Sequence, residues 1–290
     1  MSEGSTTATP MGEQREWPSS VGLILSQTRY QLLAFSRSPV GMFFTIGLPL
    51  IMLVLFNAIF GDGTIDTDVG TWPVSQFYTG GLAAFTAVSA TYTNLVNVVP
   101  IRRDEGILKR WRSTPIPPAV HLTGWVLSAL VIAFVGFVIQ LGLGVVAYDL
   151  TIDTAKLPAL VVTFVIGVSA FAALGLAVAS LTPDANSAPA VANATILPLA
   201  FVSDIFIPLE DPPRWLELAG DVFPLKPFAS AVQDAVNPLV EAPAFDWAGL
   251  AVVAAWGAAA AFVARAKFRW EPSARGGRTS RRRRPQPTDV

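Results

Sequence analysis

Between Pro100 and Trp125 the chain reads PIRRDEGILKRWRSTPIPPAVHLTGW, a dense run of ionisable side chains. Arg103, Asp104 and Glu105 precede Gly106, Ile107 and Leu108, the basic Lys109, Arg110 and Arg112 follow, and Pro115, Pro117 and Pro118 forbid further helix. Acids ahead of bases match the helix dipole, so the spacing predicts a short helix of about two turns whose chemistry is ion pairing and docking. The same residues also describe a positively charged loop that only sets membrane orientation, and composition alone favours that plainer alternative.

Bond-making chemistry finds little material. There is no cysteine, which excludes thiolate nucleophiles, thiolate metal sites and disulfides. The one histidine, His121, opens an apolar run beside the basic loop, where an interfacial position is expected. A metal would need carboxylates and that single imidazole. No G-x-x-x-x-G-K-[ST] occurs, so the chain has no P-loop to cradle ATP phosphates. The reading is of a protein with no catalytic residues, metal or cofactor.

A second constellation spans Asn193 to Gln233. Pro198 interrupts an apolar run and Pro208 follows it, while Phe206, Trp215, Leu216, Phe223 and Leu225, beside Pro224, give an apolar side to an acidic loop. Such a loop can lie at the outer interface or dip into it, with Trp215 at headgroup level. The alternative is a plain loop punctuated by prolines. Asp204 stands near the end of the apolar run, where a carboxylate is costly unless it reaches water or a partner; hydration near the outer surface is favoured over contact with a transported molecule.

These residues need a membrane scaffold. Hydrophobic residues make up 52% of the 290 and charged ones only 14%, and mean hydropathy is +0.51. That balance indicates an integral membrane protein. A hydrocarbon core about 30 Å thick needs roughly 20 apolar residues in a helix. Six runs qualify: Val40 to Phe60, Phe77 to Val99, Leu122 to Ala147, Pro158 to Leu181, Ala188 to Ile207 and Trp247 to Ala266. The second carries Thr91, Thr93, Asn94 and Asn97 and is expected to face protein, not lipid. Asn94, Asn97 and Pro198 are candidates for a pathway lining or a dimer interface. The first run begins too far along the chain for a cleavable signal, so that helix is expected in the mature protein.

Seventeen of the twenty lysines and arginines fall on one side of these spans, and the loops of the other side are acidic. The positive-inside rule then places both termini in the cytoplasm. Residues 1–39 form a cytoplasmic segment in which Gly22 to Ser38 is expected to be an amphipathic helix on the inner leaflet. Residues 40–267 form the six-helix unit, and 268–290 a basic tail. That tail, with Arg275, Arg278 and RRRRP, reads as a topological anchor and not as a nucleic-acid site. The fold class is an all-α integral membrane protein of six helices.

Both constellations resemble type-2 ABC transporter permeases, a family of drug, polysaccharide and lipid exporters. The first matches the cytoplasmic coupling segment of that family at Asp104, Glu105, Gly106, Leu108, Lys109, Arg110, Trp111, Arg112, Thr114, Pro115 and Pro117. The second matches at Pro198, Ser203, Phe206, Ile207, Pro208, Leu209, Pro213, Trp215, Leu216, Pro224 and Leu225, and departs at Asp204, where the common pattern has Gly. The resemblance implies a permease that pairs with itself or a related chain and with two copies of a separate ABC ATPase subunit. Coupling would run through Arg103 to Arg112 and Pro115. Short outer loops lean towards small amphiphilic drugs or lipids as substrates. A membrane assembly or regulatory subunit is the rival from another class. A secondary transporter is disfavoured, because Asp204 is the only acidic residue within the spans.

Overall fold

The computed structural model describes residues 19–67, 70–113, 116–206, 213–268 and 270–271. Within them the chain forms α1 (Ser20–Ser36), α2 (Pro39–Phe60), a hairpin of β1 (Thr64–Thr67) and β2 (Gly70–Pro73), α3 (Val74–Asp104), α4 (Ile107–Arg112), α5 (Pro118–Ala147), α6 (Leu157–Leu181), α7 (Ala188–Val202), α8 (Arg214–Val222), α9 (Leu225–Val236) and α10 (Trp247–Lys267). Five of these helices, α2, α3, α5, α6 and α10, are long and apolar enough to cross a membrane.

Helix α2 starts where Ser38 accepts a hydrogen bond from the Gly41 amide and Pro39 takes the first turn, in which an amide proton would be spare. Helix α3 is the hub. In its most apolar stretch 78% is buried, against 17% for α2, so the polar helix is walled in by protein while α2 lies at the periphery. Its buried hydroxyls are satisfied locally: Thr79, Thr86 and Thr91 each donate to the carbonyl four residues back, at 2.8 Å. Both α2 and α3 contain a π-helical turn, Phe43–Gly47 and Ser89–Thr93, and these two turns touch.

Helices α6 and α10 pack through small residues, with Ala177, Ala260 and Ala264 buried between them. In hydrocarbon such close backbone approach replaces the hydrophobic drive available in water. Helix α9 lies against α3 and α6, and its Phe228 ring occupies the space a side chain at Gly167 would need. Helix α1 packs along α5.

Two expectations are corrected. The second span begins at Val74 and runs to Asp104, since Pro73 ends the hairpin and the basic residues extend the helix beyond the apolar run. The fifth expected span, Ala188 to Ile207, ends at Val202: the Ser203 hydroxyl bonds back to Leu199 O and Asp204 adopts a left-handed backbone (φ 54°), which terminates the helix. At 15 residues it is about 22 Å long, shorter than the hydrocarbon core. Ile207 lies outside the described residues. Among the described residues the fold is all-α apart from one short hairpin, in which β1 and β2 pair antiparallel, Ile65 opposite Trp72. Trp72 is buried edge-on against Phe77 (5.4 Å), which anchors strands too short for a search for long apolar runs to find.

The Gly167 contact yields a test. A methyl group there would meet the buried Phe228 ring at about 2 Å. Gly167→Ala is expected to destabilise the protein by about 1–3 kcal/mol through overpacking. Thermal unfolding in detergent should show a lowered midpoint that Phe228→Leu partly restores; an unchanged midpoint would contradict this packing.

Candidate functional site

The basic loop is built by a break in α3. The helix continues through Asp104, Glu105 caps it, and Gly106, at φ 73°, turns the chain into α4. The acids therefore close one helix, whereas the sequence pattern suggested that they open the next. Arg103 is only 2% exposed: its Nη2 donates to Thr182 O (2.9 Å) and Pro183 O (3.0 Å). Its Nε reaches Asp104 Oδ1 at 3.4 Å, and Asp104 Oδ2 accepts from the Ala185 amide at 2.7 Å. Leu108 is fully buried among Leu95, Val99 and Trp125. Trp111 stacks on His121 with ring centres 4.1 Å apart and leans on Trp125. Sequence reasoning offered Arg103 and Leu108 as docking contacts, but both point inward. The outward surface consists of Glu105, Lys109 and Arg110, with Glu105 in a loose ion pair with Arg102 (3.6 Å). The Arg112 side chain, Thr114 and Pro115 lie outside the described residues.

Beside this end of the molecule opens a cleft of about 500 Å³ between α1, α2, α3, α5 and α7. Asn94, Asn97, Thr93, Ser89 and Arg102 from α3 and Asn193 from α7 share the lining with Phe35, Phe44, Leu48 and Ile132. The two π-turns contribute Phe44, Thr45, Ser89 and Thr93, and such turns recur at functional positions. Sequence periodicity gave no signal for them. Asn97 donates to Thr93 O at 2.8 Å, and Tyr92 and Thr195 hydroxyls meet at 2.5 Å, tying α3 to α7. Pro198 is exposed and outside the lining, one residue beyond Leu197, so this candidate is separated from Asn94 and Asn97. Amide and hydroxyl groups among apolar walls can hold an amphiphile.

At the opposite end Asp204 meets Lys226 (3.8 Å), which also pairs with Asp221 (3.2 Å). The carboxylate thus has a protein cation as its partner. Phe206 is buried against Phe85 and Phe201, Pro224 is buried at the start of α9, and Trp215 is 69% exposed on α8. Pro208 lies outside the described residues. Nearby, the buried Lys156 donates to Asn237 O at 2.6 Å. The Asp234 carboxyl is pushed up to about 6, chiefly by burial and further by Asp246, with Lys156 opposing.

A multi-span membrane protein with a largely apolar cleft that carries amide and hydroxyl groups, beside a short charged helix, fits a permease in class. Residues 23–236 match the ABC-2 type transporter family, and the chain belongs to that family. It is 27% identical over 238 residues to the daunorubicin resistance ABC transporter permease protein DrrB1 of Streptomyces coeruleorubidus, covering 80% of this chain and 81% of that protein. It is accordingly a multi-pass protein of the plasma membrane.

Two measurements bear on the far cluster. Asp204→Gly should change stability by less than about 1 kcal/mol, because relief of the left-handed backbone offsets a weak, partly exposed ion pair. It should also make unfolding less sensitive to salt. For Asp234 the folded chain holds its proton more tightly than the unfolded chain, so this group makes stability fall as pH rises from about 4 to about 6 and adds no slope above that. Thermal unfolding of Asp234→Asn across that range should show a flatter profile than the parent.

Proposed function

We propose that this chain is the transmembrane subunit of an ABC exporter that moves a small amphiphilic drug or lipid-like molecule outward, using ATP hydrolysed by a separate chain. The observation that carries the reading is the short helix α4: Leu108 and Arg103 fasten it to the spans while Glu105, Lys109 and Arg110 face out beside the cleft. A segment so anchored can receive a push from a soluble motor and pass it on. Two permease chains and two ATPase copies would form the working assembly. The name of the relative, a drug-resistance permease, supports an amphiphilic substrate.

In this reading α7 acts as a short fifth span, giving six crossings with both termini and α4 in the cytoplasm. Helices α8 and α9 then form an outer segment whose exposed Trp215 and Leu218 meet the outer leaflet, and α1 lies along the inner one. ATP binding would shift the population between inward-open and outward-open arrangements of the helices around the cleft.

The primary test is copurification of the tagged chain with its ATPase, before and after Lys109→Glu combined with Arg110→Glu. Each exposed charge contact contributes up to about 1 kcal/mol, so the pair should weaken association by roughly tenfold, and transport should fall with membrane insertion unchanged. Leu108→Asp is the wrong probe for docking, since it places a charge in the chain's own core. Wild-type affinity and transport in the double variant would refute α4 as the docking element. Reporters at Ser113 and near Trp215 should report cytoplasm and exterior respectively; the same side for both would refute the topology.

A further inference from the structure

Arg103 is a charge with no contact to offer a motor. A buried guanidinium is costly unless its donors are used, and its two shortest bonds go to backbone carbonyls of the link between α6 and α7. Asp104 adds a bond to a third backbone group of that link, the Ala185 amide. The link is stiffened from within: the Ser187 amide donates to Asp184 Oδ1 and its hydroxyl to Asp184 O, both at 2.9 Å. It delivers the chain directly into α7 at Ala188. Farther along the same pair of helices, the Tyr92–Thr195 hydrogen bond joins them again. Helices α3 and α7 are therefore fastened at two levels beside the cleft, and α1, α2 and α5 supply the rest of its lining.

We propose that Arg103 and Asp104 are positioning residues that transmit displacement of α4 to the start of α7, so that the cytoplasmic end of α7 follows α3 at the cleft. The inference rests on the docking role given to α4 above. Charge-assisted bonds to consecutive carbonyls are directional, so movement of the α3 terminus draws the link with it. A cation there serves this purpose better than an apolar residue: apolar packing at that point would tolerate sliding, whereas two directional bonds from Arg103, with a third through Asp104, do not. Loss of the clasp would leave the motor docked and active but would disconnect it from the cleft.

The absence of cysteine allows clean reporters. Asn193→Cys sits on α7 in the cleft, exposed; Ser113→Cys sits at the end of α4, exposed. The permease–ATPase complex is treated with N-ethylmaleimide, nucleotide-free and ATP-trapped, and labelling of this chain is followed. Without the further change, residue 113 should be protected by the motor and the labelling rate at 193 should depend on nucleotide. Arg103→Met should abolish the nucleotide dependence at 193 while protection of 113 and ATP hydrolysis persist, and transport should be lost. Arg103→Lys, which retains a donor for one carbonyl, should recover part of the response. If Arg103→Met fails to assemble, Asp104→Ala, which removes the Ala185 bond, should reduce the response in the same way. A nucleotide response at 193 that survives Arg103→Met, or Asp104→Ala in its place, overturns the relay. Absence of motor protection at 113 in the parent instead overturns the docking reading and the relay with it.

Discussion

A helix that carries threonines, asparagines and an arginine through a bilayer has to be surrounded by protein, and the architecture follows from meeting that demand for α3. Its hydroxyls turn back onto its own carbonyls, which satisfies them without a neighbour. Asn97 does the same through Thr93 O, but two larger polar groups reach other elements. Tyr92 finds Thr195 on α7, and Arg103 finds the carbonyls beyond α6. Each of these bonds commits a neighbouring helix to a place, so α6, α7 and α9 gather round α3 while α2 stays at the edge, where its uniformly apolar surface costs nothing in lipid.

The same demand separates rigid from yielding parts. Where α3 and α7 are fastened, hydrogen bonds fix the register. Where α3 faces α2, the helices pack closely at one end, and the cleft opens beside the two touching π-turns, which contribute Phe44, Thr45, Ser89 and Thr93 to its lining. At the far end Asp204 holds a backbone conformation that glycine adopts at less cost, and gains Lys226 as its counter-ion. The strain and the ion pair belong together: the left-handed turn that ends α7 is also what brings the carboxylate to the lysine.

The hydrogen bonds of buried Arg103 and the exposed charges of Glu105, Lys109 and Arg110 belong to neighbouring residues with opposite orientations. Gly106 separates them. By taking a positive φ it lets α4 leave the axis of α3, so that one charged segment is fixed inside the bundle while the next is presented outside.

The sequence by itself determined how many long apolar helices there are to within the short α7, which loops are basic, that α3 would avoid lipid, and that no P-loop or thiol is available. Those properties are sums of local transfer free energies, and such sums depend on residue identity and spacing alone. The family resemblance was legible for the same reason, since its motifs are short and contiguous around Gly106 and Pro224. Which face each of those residues shows was decided by tertiary structure. Arg103 and Leu108 turn inward, Lys109 and Arg110 outward, and Pro198 stands apart from Asn94 and Asn97, because orientation about a helix axis depends on which neighbours pack there and at what depth. The pairing of Asp204 with Lys226 and of Arg103 with Thr182 O joins residues 22 and 79 positions apart, and only packing of the helices brings those groups within bonding distance.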